Sequence, residues 1–462
     1  MGNLNWLTAE DIAAGFRAGR FTPPEVLEDC LAQAARWEPR LNALTLTDAA
    51  GAREQAQAAE VRLRAGQPLS PLDGVPVLIK DILLTKGQPC LRGSWTVDAK
   101  GPWADDAPAV ARLRDAGAVL MARTTTPEIG WKGVTDSPRA GITRNPWDTT
   151  KTPGGSSGGA SAAVAAGYAP LALGTDGGGS VRIPAGFTGI YGLKPSFGRV
   201  PAWPLSPFGT VAHVGPMTRT ARDSALLLDV IARPDARDWH SLPHDPASHV
   251  PDAPSLRGLR IAYSPTLGLA TVDPEVAALV AAAVGRMADA GAIITQIDPG
   301  FDDPIEIFRT LWWAGAKAAL AHVTDRSVLD ANLAALLDQA DAITLDAYMA
   351  ATRARGALGA QMRGFMQGYD LLVTPSLPIP AFDAGLLMPP GSDPAKNWMG
   401  WTPFTYPFNL TQQPSASVPC GFTTAGLPAG VQLVGRMFDD RGVLAASHAV
   451  EAALALPQRR PA

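Results

Sequence analysis

The chain is poor in charge. Asp, Glu, Lys and Arg make up only 18% of its 462 residues, against roughly 25% in an ordinary globular protein. So few charges over this length imply little surface per residue and a large buried core. The charges nearly cancel, to a formal net −4, so the basic footprint of a nucleic-acid binder is missing. Cysteine is scarcer still. Cys30, Cys90 and Cys420 are too few for a disulfide framework and too far apart for a zinc-finger pattern. Cys90 and Cys420 read as packing residues, not nucleophiles.

A long hydrophobic run is also lacking. Stretches 152–175 and 397–435 hold no charged residue, but the first is crowded with Gly, Ser and Ala, and prolines and polar side chains break the second. Neither has the sustained Leu, Ile and Phe content of a membrane span. Residues 1–15 contain neither a basic region nor an apolar core, so no signal peptide is expected. Trp6 breaks the myristoylation pattern that Gly2 would open. These absences predict a cytoplasmic protein without membrane contact.

What the chain does have is 46 glycines and 42 prolines, short of the roughly 25–30% of a low-complexity chain. The glycines cluster. One group is Lys151-Thr-Pro-Gly-Gly-Ser156-Ser157-Gly-Gly, the other Gly174-Thr-Asp176-Gly177-Gly178-Gly179-Ser180-Val-Arg182-Ile-Pro. A small-residue helix near 160–167 and an apolar strand, 170–173, separate them. Three glycines before a serine let several N–H groups turn toward one point, a nest for an anion or for an oxygen that becomes one. Neither group fits a P-loop or a dinucleotide fingerprint. Gly155-Ser-Ser157-Gly-Gly does match the elbow G-x-S-x-G, with Ser157 as nucleophile of a Ser-His-Asp esterase and a histidine such as His448 as base. That elbow must follow a buried strand, and here it follows loop.

Helical spacing covers residues 8–65, opened by Thr8 with Glu10 and Asp11 behind it. Residues 74–84 read as a buried strand, 109–116 as a helix ended by Gly117, and 118–122 as the next strand. Later strands are expected at 260–263, 292–297, 370–374, 416–419 and 430–434, with helices at 274–290, within 305–368 and near 441–455, and a long loop at 383–408. This alternation predicts an α/β fold. Within the first strand lies Lys80, one of only 8 lysines beside 31 arginines. A lysine among apolar side chains loses its charge readily, and the neutral amine is a general base.

With Lys80 and the two glycine groups, the sequence resembles the amidase signature family. The signature is Gly-Gly-Ser-Ser-Gly-Gly at 154–159, Gly-Thr-Asp-x-Gly-Gly-Ser-Val-Arg-x-Pro at 174–184, and Gly-Leu-Lys-Pro at 192–195. Looser patterns match at 72–81, 126–128, 143–147, 215–219, 370–375 and 426–435, so the likeness spans about 70–450. It implies one large α/β domain, with a central mixed β-sheet covered by helices on both faces. Residues 1–65 would be a helical arm, 70–230 the catalytic signature core, and 255–462 the part contributing pocket walls. It also implies a Ser–cis-Ser–Lys triad: Ser180 as nucleophile, Ser156 as bridge and Lys80 as base. The N–H groups of Gly177, Gly178, Gly179 and Ser180 would form the oxyanion hole, supported by Asp176, Arg182 and Ser157. Lys194 would be structural.

The implied activity is hydrolysis of small hydrophobic or aryl amides and anilides through an acyl-enzyme, with carbamates (urethanes) and esters as further substrates. The partners are then a small-molecule amide or carbamate, no nucleic acid and no membrane, with the chain a monomer or homodimer. A glutaminase-type subunit of a tRNA amidotransferase is the alternative within the family; low charge and a divergent C-terminal half speak against it. Trp312, Trp313, Trp398, Trp401 and Phe404 are candidate walls of an aromatic substrate pocket, their other reading being core. His213 is placed near that pocket. His240, His244 and His249, with Asp238, Asp245 and Asp252, have spacings that suggest a metal. Polar clusters in connections are more often solvated, so no metal and no cofactor is expected.

Overall fold

The computed structural model describes residues 3–251, 253–457 and 459–462; Gly2 and Asp252, named above, lie outside them. The strands are β1 Leu44–Thr47, β2 Pro76–Lys80, β3 Val119–Thr124, β4 Asp136–Ser137, β5 Gly141–Ile142, β6 Leu171–Asp176, β7 Tyr191–Lys194, β8 His213–Thr218, β9 Arg260–Tyr263, β10 Ile293–Gln296, β11 Leu371–Pro375, β12 Ser415–Phe422 and β13 Pro428–Gly435. Eleven of them form one sheet in the order β1-β3-β2-β6-β8-β7-β12-β13-β11-β9-β10, and β4 and β5 pair separately. The sheet is mixed. β3, β2 and β6 run parallel, the middle from β6 to β11 is antiparallel, and β11, β9 and β10 are parallel again.

Both faces of the sheet are buried, because alternate residues of one strand face opposite sides. Leu371 and Val373 join one apolar cluster, shared with Ile12, Leu27, Val164 and Val280. Leu372 between them joins the other, shared with Leu311, Trp312, Leu333 and Leu358. The helices that supply those residues begin where the sequence permits. Thr8 accepts the Asp11 N–H at 3.0 Å. Thr22 and Glu25 close a reciprocal cap on the helix Pro23–Leu41, two otherwise unpaired donors satisfied together. Among the described residues, no helix is long and apolar enough to cross a membrane.

Three local expectations change. Residues 8–65 are not wholly helical: Leu44–Thr47 forms the edge strand β1, antiparallel to β3. Leu44 and Leu46 alternate with threonines there, a pattern too short to stand out against helices on either side. Residues 383–408 are not all loop, for a 3-10 stretch covers Pro394–Trp401 and a short helix Tyr406–Leu410. The strands β7 and β8 interleave within the sheet where no strand was expected, because Gly192, Gly215 and Pro216 mask their pattern.

Candidate active site

Lys80 ends β2, and Thr175 and Asp176 end its parallel neighbour β6. β6 is also where the sheet turns from parallel to antiparallel pairing, the kind of crevice beyond strand ends where α/β sheets bind ligands. Lys80 is fully buried. Its Nζ lies 2.7 Å from Ser156 Oγ, 2.8 Å from Ser157 Oγ and 2.9 Å from Thr175 Oγ1, and no carboxylate pairs with it among the described residues. Burial drives its pKa well below the ordinary lysine value, and the charge of Asp176 opposes this only in part. A neutral amine has two N–H donors and one lone pair. Three hydroxyls around it therefore leave one free to donate to nitrogen. Ser157 is committed, since its hydroxyl donates to the Thr175 carbonyl at 3.1 Å; the donor is then Ser156 or Thr175.

The first glycine loop leads into the helix Gly158–Ala165. Its Gly155–Ser156 peptide bond is cis. The second leads from β6 into the helix Arg182–Thr188. The loops are tied together where the Ser157 N–H donates to the Ser180 carbonyl at 3.1 Å. Beneath them, the Asp176 carboxylate takes the Gly179 and Val181 N–H groups at 2.8 and 3.2 Å. It also holds Arg182 through Nε and NH2, both at 3.0 Å. Asp176 and Arg182 are wholly buried. Desolvation pushes the Asp176 carboxyl up, but the Arg182 guanidinium outweighs it and holds the group below the usual carboxylate range. Arg182 is completed from the far half of the chain by Thr405 O, Gln432 Oε1 and Asn409 Oδ1 at 3.0, 2.8 and 2.7 Å.

This arrangement corrects one member of the expected oxyanion hole. The Gly179 N–H is spent on Asp176. The N–H groups of Gly177, Gly178 and Ser180 meet no acceptor among the described residues, and Gly177 and Ser180 border a cavity of about 270 Å³ together with Ser156 and Thr175. The glycines are required by contact. A Cβ on Gly177 would stand 2.6 Å from the Trp312 ring, and Gly179 has φ +124° with the Thr405 side chain where a Cβ would go. No L side chain fits there without displacing its neighbour.

The cavity is walled by Ile82, Ile129, Leu320, Trp312 and the segment 201–208, whose Trp203, Leu205 and Phe208 face it. Phe208 stacks on Trp312 with ring centroids 3.8 Å apart. Of the five aromatic candidates only Trp312 borders this space. Trp398 packs behind Gly178, Trp401 stacks on Phe187, and Trp313 and Phe404 lie in the core. Their side chains were needed to fill the second apolar cluster, so the core reading holds for these four. His213 does border the cavity. Its Nδ1 faces Val211 O at 2.8 Å and Asp176 O at 3.2 Å, while Nε2 faces Lys194 Nζ at 3.4 Å. Two carbonyls at Nδ1 and an N–H donor at Nε2 define the neutral ring with hydrogen on Nδ1. Lys194 meets only acceptors, including the Pro195 and Gln413 carbonyls, so it has no hydroxyl to deprotonate.

The elbow reading of Ser157 fails on geometry. Ser157 is fully buried, its hydroxyl meets Lys80 and Thr175 rather than an imidazole, and His448 lies 3.7 Å from Glu451 instead. Of the candidate metal set, His249 pairs with Asp229 at 2.7 Å and Asp245 with Arg441 at 2.7 Å, while His240 stands 3.6 Å from Asp238; no group of three or more such ligands gathers among the described residues.

A model of the Amidase family matches residues 25–444. The chain belongs to the amidase signature family. With the family comes its enzyme class, hydrolysis of amide C–N bonds. An acylamidase of Rhodococcus erythropolis is 37% identical to this amidase, over 100% of this chain and 98% of its own length. A glutamyl-tRNA(Gln) amidotransferase subunit of Myxococcus xanthus is 35% identical over 97% of each. Among solved structures, a bacterial aryl acylamidase of the family superposes with a TM-score of 0.89 at 32% identity, covering 97% of this chain and 96% of that one. A 6-aminohexanoate cyclic dimer hydrolase reaches 0.91 at 29% identity over 99% of each.

Sequence reasoning missed Thr175, Asn409 and the wall 201–208 of this amidase site. Thr175 was inside the signature and carried a hydroxyl. The wall was marked by prolines around Trp203 and Phe208, a rigid apolar segment that reads equally well as an ordinary turn. Asn409 had no local signal.

Proposed function

We propose that the protein is a serine amidase of small hydrophobic or aryl amides and anilides, working through Ser180, Ser156 and Lys80 without a metal. Neutral Lys80 accepts a proton from the Ser156 hydroxyl, Ser156 accepts one from Ser180, and Ser180 Oγ attacks the carbonyl carbon. The carbonyl pair moves onto oxygen, which the N–H groups of Gly177, Gly178 and Ser180 receive; one such donor is worth about 3 kcal/mol. As the tetrahedral intermediate collapses, the C–N bond breaks. The leaving nitrogen takes a proton from Ser156, which is resupplied by the Lys80 ammonium. An unprotonated amine is a poor leaving group, so this return is as needed as the attack. Water then attacks the acyl-Ser180 by the same relay, releasing the carboxylic acid and restoring the serine.

The observation that carries this reading is a buried lysine, unpaired with any carboxylate among the described residues, 2.7 Å from a serine that shares a cavity with Ser180. The apolar walls support the substrate class. Carbamates and esters carry a similar carbonyl and are expected to react by the same steps. The likeness to amidotransferase subunits favours a second reading, in which glutamine is the amide. Against it, no Asp or Glu is among the cavity-lining residues, and Arg92 is the single fixed charge there, so the α-ammonium of glutamine would enter unpaired. A panel of glutamine, an aryl amide, an anilide, an aryl ester, a linear nylon oligomer and an aryl carbamate tests both. The anilide or aryl amide is expected to turn over fastest, without ATP or partner subunits, and Ser180→Ala is expected to abolish it. Turnover of glutamine alone would favour the second reading; normal turnover by Ser180→Ala would refute the mechanism.

A further inference from the structure

We propose that His213 and Asn409 are positioning residues that aim the Gly177 N–H at the developing oxyanion, an inference that rests on the oxyanion-hole reading above. The argument starts with one peptide plane. The Asp176 carbonyl and the Gly177 N–H belong to the same trans peptide, and in a trans peptide the two point in opposite directions. Whatever holds the carbonyl therefore sets where the N–H points. Two side chains reach it: Asn409 Nδ2 at 3.0 Å, which also donates to Asp176 Oδ1 at 2.8 Å, and His213 Nδ1 at 3.2 Å, whose one N–H is shared with the nearer Val211 carbonyl at 2.8 Å. Both are buried; Gly177 borders the cavity, and its N–H meets no acceptor among the described residues.

Each holder is itself fixed. The Asn409 oxygen accepts from Arg182 NH2 at 2.7 Å, which orients its amide with nitrogen toward Asp176 and Val211, whose carbonyl takes the same nitrogen at 3.0 Å. The His213 ring is locked between the Val211 carbonyl and Lys194. Burial holds its pKa well below the ordinary histidine value. The next carbonyl of the nest that is pinned by a side chain, Gly178 O, takes the Thr405 hydroxyl at 2.7 Å. That bond directs the Gly179 N–H away from the cavity and onto Asp176. The nest is thus sorted peptide by peptide, with the Gly177 N–H turned toward substrate and the Gly179 N–H turned toward its support. Hydrogen bonds to the Asp176 carbonyl also polarise that peptide and make its N–H a better donor.

The test compares a transition-state mimic with a ground-state mimic. An aryl trifluoromethyl ketone adds the serine oxygen to its carbonyl carbon and places an oxyanion in the nest. The matching aryl ether, which has no carbonyl, places nothing there. His213→Phe keeps an aromatic ring, slightly larger, and removes both nitrogens; Asn409→Leu removes the amide; His213→Asn keeps a nitrogen near the position of Nδ1. The expected result is a loss of about tenfold or more in kcat for His213→Phe and Asn409→Leu. A parallel loss of trifluoromethyl ketone affinity is expected, with KM and ether affinity within about threefold of the parent and most of the loss recovered in His213→Asn. Near-UV circular dichroism identifies variants that keep the native packing. Native-like variants whose ketone-to-ether affinity ratio matches the parent would overturn the proposal, and so would a His213→Asn variant as weak as His213→Phe. Ser180→Ala run alongside separates the two levels: if it retains turnover, the parent mechanism has failed rather than the positioning role.

Discussion

Lys80 Nζ stands 2.7 Å from the Ser156 hydroxyl, beside the hydroxyls of Ser157 and Thr175, with no carboxylate in direct contact among the described residues. Burial favours the neutral amine, opposed in part by the charge of Asp176, and a pH behaviour follows. Burial lowers its pKa, so the base form is present above the lowered value and lost as pH falls through it. The rise of kcat/KM with pH should be complete well before the ordinary lysine range near ~10.4. Lys80→Met should lose about 10²–10⁴-fold in kcat and lack this limb. The same rising limb in Lys80→Met would assign the titration to another group. Stability carries the same sign: the unfolded chain binds the Lys80 proton more tightly, so stability gained from this residue falls as pH falls from the alkaline side.

Gly177 and Trp312 are coupled by contact. With a Cβ placed 2.6 Å from the Trp312 ring, Gly177→Ala must shift either the ring or the nest, and kcat should fall by about tenfold or more. Adding Trp312→Phe opens the space and should restore part of the loss. Kinetic constants for the two single variants and the double variant measure this coupling; strictly additive effects would contradict it.

Trp401 and Trp312 separate stability from specificity. Trp401→Ala empties a packed site beside Phe187 and Phe382 and should cost about 3–5 kcal/mol in a denaturant titration, with KM for an anilide unchanged in the folded fraction. Trp312→Ala should instead raise KM for aryl substrates more than for small aliphatic amides. A specificity change in Trp401→Ala would place the cavity elsewhere.

Asp176→Asn leaves Arg182 buried without its counter-ion. Breaking such a pair costs about 3–5 kcal/mol, read from urea unfolding at neutral pH. Because the folded pKa of Asp176 is depressed, its stabilisation is full above the ordinary carboxylate range and is lost only as pH falls through the lower folded value. The parent should therefore lose its stability advantage over Asp176→Asn at strongly acid pH, and a gap that persists there would point to packing instead of charge.

Much of the fold was legible because period and punctuation agreed. The strand at 260–263 matches Arg260–Tyr263, and the helix predicted from 274 runs Pro274–Asp289, started by Asp273 and stopped before Gly291. The middle of the sheet was less visible. β7 carries Gly192, packed against Val181 and Ala185, and β8 carries Gly215, packed against the Leu193 carbonyl, followed by Pro216; glycine and proline erase the alternation by which strands are recognised. In the site, Lys80 stood out as a lysine in an apolar strand, and Ser156 and Ser180 as serines in glycine loops; the structure brings Lys80 to 2.7 Å from Ser156 and places both serines on one cavity. Gly179 was misplaced because its φ and its bond to Asp176 depend on Arg182 and Thr405, which no local pattern connects. Asn409 and the wall 201–208 act through tertiary contact alone. Four of five aromatic candidates proved to be core, since tryptophan and phenylalanine fill volume wherever it occurs.

The cavity is walled from two parts of the chain. Ser156, Gly177 and Ser180 line it from the glycine loops, whereas residues 201–208, with Trp312 and Ala319 of the helix Ile305–Ala319, line it from farther along. The last two segments meet where Phe208 lies against Trp312, so neither drifts alone: a bulkier ring on one demands a smaller one on the other. A change of substrate preference is consequently expected to need matched substitutions in both segments, and a chimaera that exchanges one without the other is expected to lose the fit between them.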